Sequence, residues 1–354
     1  SYLEAHARSE GLSLLSIPRI RLETDDDLRP GEFGIACRMV DPGRSGGGEG
    51  DMPEAASAEV EAPIEPQVPA APLPNEALEA VSGTQVLSPE QARAAGRTDP
   101  IMHCRTRPPL CETMADLEIF EIGLETGAHV HIAHSSLARG FEIAEVFRRM
   151  GGKASGEACL QYLCMTEEDI IRLEGFGKCN PPFRTADEVE RMWGAFAKGQ
   201  IAYVSTDHAP WPRDRKTYTG DIFTVGAGLT GMQSFAPVMF SLLKQRGLSP
   251  SLMALYCAER PARFHGLYPK KGALRVGADA DLLVMEEGDF TFDARDIQDQ
   301  EDAKWSPYDG MKVKGRVAAT WLRGQQIWDG KQVLAKPGAG RFVPRQHRET
   351  YVGE

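Results

Sequence analysis

Between about residue 114 and residue 258 the sequence switches repeatedly between two hydrophobic periods, which restricts the chain to an α/β architecture with parallel strands. MADLEIFEIGLET (residues 114–126) has helical spacing, AHVHIA (128–133) reads as a short strand, and GFEIAEVFRRM (140–150) is helical again. The stretch 154–163 is extended, ADEVERMWGAFAK (186–198) is an amphipathic helix, and 201–205 is a strand. Residues 232–246 and 249–258 read as further helices. After about Gly272 the helices stop. ALRVGADADLLVM and VKGRVAATWLRGQQIWDG are short strands with Gly and Asp turns, so a small β-rich module follows. Strands of the parallel type fall near His6, His134, Cys159 and Val204, about four in all, whereas a closed (β/α)₈ barrel needs eight.

One stretch breaks this pattern. From about Asp41 to Ala80 the chain is rich in Gly, then in Pro, Ala and Glu, and lacks aromatics. It cannot bury enough apolar surface to offset its ordering entropy. The expected organisation is therefore the start of a half-barrel at 1–20, an insertion at 21–95, the rest of the half-barrel at 96–272, and a β module with tail at 273–354. The formal net charge of -11 argues against a nucleic-acid surface. No apolar run approaches the roughly 20 residues of a membrane helix, and the N-terminus lacks the order of a signal peptide. The seven cysteines are dispersed without a CxxC pair, which reads as reduced thiols in a cytoplasmic protein.

Two segments carry the chemistry. In GKCNPPFRTADEVERMWGAFAKGQIAYVSTDHAPWPRDRK (177–216) the strand IAYVS stops just before Asp207. The carboxylate therefore stands where a strand gives way to a loop, the end at which α/β barrels build their sites. The plainer reading makes Asp207 a cap and His208 a surface residue. In GAHVHIAHSS (127–136) strand alternation puts His129 and His131 on one face and His134 on the other, with Val130 and Ile132. An HxH metal pair at His129 and His131 competes with a ligand at His134.

Taken together, these segments resemble the cyclic amidohydrolases of the hydantoinase, dihydropyrimidinase and allantoinase group. STDHAP after a PPFR element and a helix is similar to the family's last barrel strand, whose Asp binds metal and shuttles the proton of the attacking water; this falls on Asp207. HSS is similar to the strand end where a His binds metal, which favours His134. LEAHARSEG resembles the "hxHAE" strand and makes His6 a third ligand, although Arg8 stands where Glu is usual. RPPLCE (107–112) matches an "RPxxxE" element displaced about 100 residues downstream. Asn180, just before PPFR, and Ala227–Gly228 of GAGLTG sit where the family holds a cyclic amide through backbone groups. Here Ala227 replaces the usual Asn and Gln233 the usual Glu. ERPARFHGLYPKKGALRVGADADLLVM (259–285) and SPYDGMKVKGRVAATWLRGQQIWDG (306–330) resemble the exit from the barrel into a β-sandwich.

The resemblance implies the second half of a (β/α)₈ TIM-type barrel followed by a small β-sandwich module. It also implies metal-dependent hydrolysis of a cyclic amide, ureide or imide C–N bond. The cofactor would be a divalent metal, zinc by family. The pair would be dinuclear if another chain supplies the HxH pair of the first strand and the carboxylated Lys of the fourth, neither of which is recognisable here. The chain starts near the point where a relative would enter its fifth strand, so a complementary N-terminal half-barrel polypeptide is expected as partner, within a higher oligomer. Two other readings stay open: a mononuclear site, and an inactive hydantoinase-like structural or regulatory subunit.

Overall fold

In the computed structural model the described residues are 87–345. His6 and most of the expected insertion lie outside them. Three parallel strands form the first sheet in the order β1 (His129–Ser135), β2 (Lys153–Cys159) and β3 (Val204–Ser205). Their pairings, Ser135↔Ala158 and Cys159↔Ser205, make the three strands end together. Three of the four expected parallel strands are thus seen, and the fourth falls at His6. The last is shorter than the stretch 201–205 predicts. Ahead of Val204 the pairing continues only as single bonds, from Ala202 N–H to the Gly156 carbonyl and from Ala158 N–H to the Tyr203 carbonyl.

The longer helices follow from local chemistry. Helix α1 (Pro109–Thr126) starts on a proline, which has no N–H to leave unsatisfied, and ends at Gly127, whose φ of 72° suits glycine. Helix α2 (Ala138–Arg149) packs Ile143, Ala144 and Phe147 against Phe120 of α1, with Val130 and Ile132 of β1 beside them. In α3 (Ala186–Ala197) the Thr185 hydroxyl accepts from the Glu188 amide, and Val189, Met192, Trp193 and Phe196 recur on one buried face. Helix α4 (Phe235–Gln245) carries Val238, Met239, Leu242 and Leu243 into the same large core. The expected helix at 249–258 is instead a run of α, π and α turns, Ser251–Ala254, Leu255–Glu259 and Arg260–Phe264.

The C-terminal module is an antiparallel sheet of β4 (Leu282–Thr291), β5 (Lys312–Leu322) and β6 (Gln325–Trp328). The sheet abuts α4 at Gly315, where an added Cβ would lie 2.8 Å from the Phe240 ring. The Ser241 hydroxyl accepts there from the Lys314 amide at 2.7 Å. The expected strand at ALRV does not form. Leu274 and Val276 are fully exposed between the turns at Gly272 and Gly277, with no strand beside them to bond their backbone. No helix among the described residues is long and apolar enough to cross a membrane, and the six described cysteines are free thiols.

Candidate active site

His134 and Asp207 occupy equivalent places at the C-terminal ends of β1 and β3. Both have left-handed backbone, φ 45° and 46°, a conformation that costs a non-glycine residue of order 1–3 kcal/mol and concentrates at functional sites. The β1 pairing explains how His134 gets there. Ile132 pairs with Gly156 and Ser135 with Ala158, so β1 fits three steps against two on β2. One extra residue is accommodated as a bulge at Ala133–His134. That bulge breaks the strict alternation by which parity puts His134 on the face of Val130 and Ile132. The Asp207 carboxyl is raised, first by loss of hydration and also by Glu157, while His134 pulls it back.

His129 and His131 share a partner in the layer beneath the strand end. His129 Nε2 and His131 Nδ1 both meet the Ser155 hydroxyl, at 3.0 and 2.8 Å. The His131 ring stacks on Tyr203 at 5.3 Å and packs on Phe264 at 4.4 Å. Its Nε2 faces Glu157 at 3.5 Å. Glu157, which the sequence reading passed over, joins this layer to the site. Burial alone would raise its pKa, but His131, Tyr203 and the Ser205 hydroxyl, which donates to it at 2.9 Å, outweigh that and hold it low. The one signal in the sequence is a carboxylate in the middle of a strand otherwise made of small residues, KASGEAC.

A second buried network grips the residue pair after His134. The Ser136 amide donates to Glu112 Oε1 at 2.7 Å, and the Ser136 hydroxyl donates to Oε2 at 2.5 Å. Arg184 completes it, with Nη2 to Glu112 Oε2 at 2.8 Å, Nε to the Ser136 hydroxyl at 2.8 Å and Nη1 to the Arg107 carbonyl at 2.6 Å. Arg107 and Glu112 of RPPLCE, Ser136 of HSS and Arg184 of PPFR therefore meet in one place. Their motifs were read separately in the sequence, and their function is joint: they fix the turn that ends β1.

The substrate candidates lie on loops beside Asp207. Asn180 is exposed, while Gly228 is buried and Ala227 partly so. The Ala209 amide donates to the Leu229 carbonyl at 2.8 Å, which seats the Asp207 loop on the segment after Gly228. The backbone of Gly228 is engaged inside the protein. Its N–H donates to the Lys178 carbonyl at 2.9 Å, and its carbonyl accepts from Lys216 Nζ at 2.9 Å. The Ala227 carbonyl accepts from Trp211 Nε1 at 2.8 Å.

The donor set suits a divalent metal in part. His134 Nδ1 is buried with no hydrogen-bond partner among the described residues, an arrangement costly unless something else binds the ring. An imidazole beside a carboxylate is the chemistry of zinc sites. Yet no group of three His, Cys, Asp or Glu able to hold a metal occurs among the described residues, so His134 and Asp207 by themselves do not make a metal site there. A recess of about 160 Å³ bounded by Cys104, Arg105, Glu167 and Arg184 includes neither of them. It is also smaller than the roughly 300–1,000 Å³ of pockets that enclose small ligands.

The sequence profile of the amidohydrolase family matches residues 94–327, and the chain belongs to that family. An allantoinase of Rubrobacter xylanophilus is 35% identical over 261 residues, which are 73% of this chain and 56% of that protein. An L-hydantoinase of Paenarthrobacter aurescens is 31% identical over 74% of this chain and 57% of its own length. Among solved structures, the L-hydantoinase (dihydropyrimidinase) of Arthrobacter aurescens superposes with a TM-score of 0.69 at 31% identity, over 73% of this chain and 57% of that one. The chain is thus similar to cyclic amidohydrolases and spans a little over half the length of the relatives it matches.

Proposed function

We propose that this chain forms part of a metal-dependent cyclic amidohydrolase that opens a cyclic amide, ureide or imide ring, with the rest of its barrel supplied by a complementary N-terminal half outside this sequence. The observation that carries the reading is the placement of His134 and Asp207 at the C-terminal ends of β1 and β3, on either side of β2, both in left-handed backbone. Kinship with allantoinases and hydantoinases supports the substrate class. Two features of the described residues support completion by further polypeptide: β1 and β3 are outer strands of a three-stranded sheet, and Leu282, Leu283 and Val284 of β4 are exposed. On this reading the fold is the second half of a TIM-type barrel with a β-sandwich module. His6 adds the third ligand from this chain, and the assembly works in the cytoplasm.

His134 and Asp207 would hold the metal, with His6. A bound divalent cation, zinc by kinship, supplies Lewis-acid polarisation of a ring carbonyl and a more acidic water. The chain's own residues do the rest. The Asp207 carboxylate accepts the proton of the attacking water and passes it to the leaving ring nitrogen. Glu112 and Arg184 hold the turn that aims His134. Asn180 and the loop at 227–228 would border the ring, with the Gly228 N–H and carbonyl and the Ala227 carbonyl holding that loop from within.

Metal analysis of the purified assembly, with a hydrolysis screen over hydantoin, dihydrouracil, allantoin and cyclic imides, tests the proposal. Retained divalent metal and opening of at least one ring are expected. A metal-free protein inert toward all of them would support a structural or regulatory subunit instead.

A further inference from the structure

Three loops that carry candidate site residues are tied together by one buried side chain. Lys216 is 0% exposed, and its ammonium donates to the carbonyls of Lys178 at 2.9 Å, Gly226 at 2.8 Å and Gly228 at 2.9 Å. The first of these precedes Asn180, the other two flank Ala227, and Lys216 itself ends the loop that begins at Asp207. Lys178 repeats the arrangement. It is 5% exposed, and its ammonium donates to the carbonyls of Ile222 at 2.8 Å, Phe223 at 3.4 Å and Val225 at 2.5 Å. The two are linked in series, because the Lys178 carbonyl accepts both from Lys216 and from the Gly228 amide.

Each ammonium thus spends its three N–H groups on three backbone carbonyls, a convergence that a compact tetrahedral donor can serve and a planar guanidinium cannot. Burying an ammonium that makes no salt bridge is costly, and burial lowers the pKa of Lys216 to about 7 and that of Lys178 to about 8, so the repetition within one loop cluster calls for a purpose. The loops also approach backbone to backbone. A Cβ at Gly175 would lie 2.0 Å from the Lys216 carbonyl oxygen, and one at Gly228, where φ is 144°, would lie 2.7 Å from the Ala209 side chain. At Gly175 and Gly228 no further side chain fits between the loops, and the ammoniums span the gap. Two tryptophans close the cluster: Trp305 lies 5.3 Å from Lys216 Nζ and donates to the Trp211 carbonyl, while Trp211 donates to that of Ala227.

We infer that Lys216, seconded by Lys178, is a positioning residue that fixes the gap between the Asp207 loop and segments 178–180 and 226–228, and so governs how tightly a cyclic substrate is held rather than how fast it is opened. This rests on the function proposed above. A lysine that merely filled the interior would affect the whole chain alike, whereas a clasp acts on its own loops.

The test compares wild type with Lys216→Met and Lys178→Met in the full chain within its assembly. Two readouts are taken: amide hydrogen exchange, and KM and kcat on whichever of hydantoin, dihydrouracil or allantoin the wild type opens. For Lys216→Met, exchange at Gly226 and Gly228 should quicken about tenfold or more while β1 and β2 keep their protection. KM should rise about tenfold with kcat little changed, a loss of binding alone. Lys178→Met should act in the same direction, chiefly at 222–228. Protection lost evenly throughout or nowhere, or a fall in kcat at constant KM, would overturn the inference. If Lys216→Met does not fold, Lys178→Met decides by the same readouts. If the wild type opens no ring, the proposed function fails, and hydrogen exchange still judges the clasp.

Discussion

Glu112→Ala is the substitution whose cost the structure specifies best. The Glu112 and Arg184 side chains are only 10% and 7% exposed, so the pair works in a largely dehydrated setting. Removing the carboxylate strands the Arg184 charge with only its bonds to the Ser136 hydroxyl and the Arg107 carbonyl, and leaves the Ser136 amide without its acceptor. Breaking a buried pair from one side costs about 3–5 kcal/mol, against about 0–1 kcal/mol for an exposed pair. Glu112→Gln keeps an oxygen for the Ser136 amide and should cost less. The assay is urea unfolding followed by circular dichroism, run as a cycle with Arg184→Met. The double variant should be less destabilised than the sum of the singles, by about 1–3 kcal/mol, because it no longer buries an unpaired charge. A cost below about 1 kcal/mol for Glu112→Ala, or strict additivity, would refute the argument that this network is buried and coupled.

A second prediction concerns acid. His103 is fully buried, its Nε2 lies 2.7 Å from the Cys179 carbonyl and its Nδ1 3.2 Å from Arg107, and burial first, then Arg107, pulls its pKa down to about 3. The unfolded chain therefore takes up a proton below about pH 6.5 that the folded chain refuses until about pH 3. The contribution of His103 to stability is complete above 6.5 and is lost as pH falls through that window, at up to about 1.4 kcal/mol per pH unit. Urea midpoints at pH 7 and pH 4 should differ less in His103→Gln than in wild type; equal differences would contradict this. A third prediction concerns the Gly- and Pro-rich stretch outside the described residues. Deleting residues 43–74 should leave ring opening largely intact, and loss of activity in a folded assembly would show that the stretch takes part.

Local features of this chain were readable and long-range ones were not. Helix α3 was plain because its buried face repeats at helical spacing and Thr185 caps it, both properties of adjacent residues. Asp207 was placed at a strand end by the alternation that precedes it, and the structure puts it there. The parity of His134 misled, because a bulge is a property of pairing with β2 that the isolated strand cannot reveal. Glu112 and Arg184 were visible as motif residues, but they lie 72 positions apart, and their joint grip on Ser136 appears only when α1 and β1 are packed. Lys178 and Lys216 gave no signal at all. In sequence they are two lysines in loops, and only the converging carbonyls of 178 and 222–228 make them buried. His6 and its Arg8 neighbour lie outside the described residues, whereas the residues around 95 lie within them, where helix Pro89–Ala94 packs Ala92 with Met102, Ile222 and Val225.

The central claim is that Asp207 moves the proton in ring opening at a site it shares with His134. The direct measurement is turnover of a cyclic ureide by the complete assembly, wild type against Asp207→Asn, with circular dichroism to establish that both are folded. Asp207 lies on the loop after β3 and outside the buried apolar cluster, so the substitution should leave the core untouched. An amide is a weaker ligand and a poor proton carrier, so turnover should be abolished while the spectrum is unchanged. An Asp207→Asn assembly that opens the ring at a rate near that of the wild type would contradict the account.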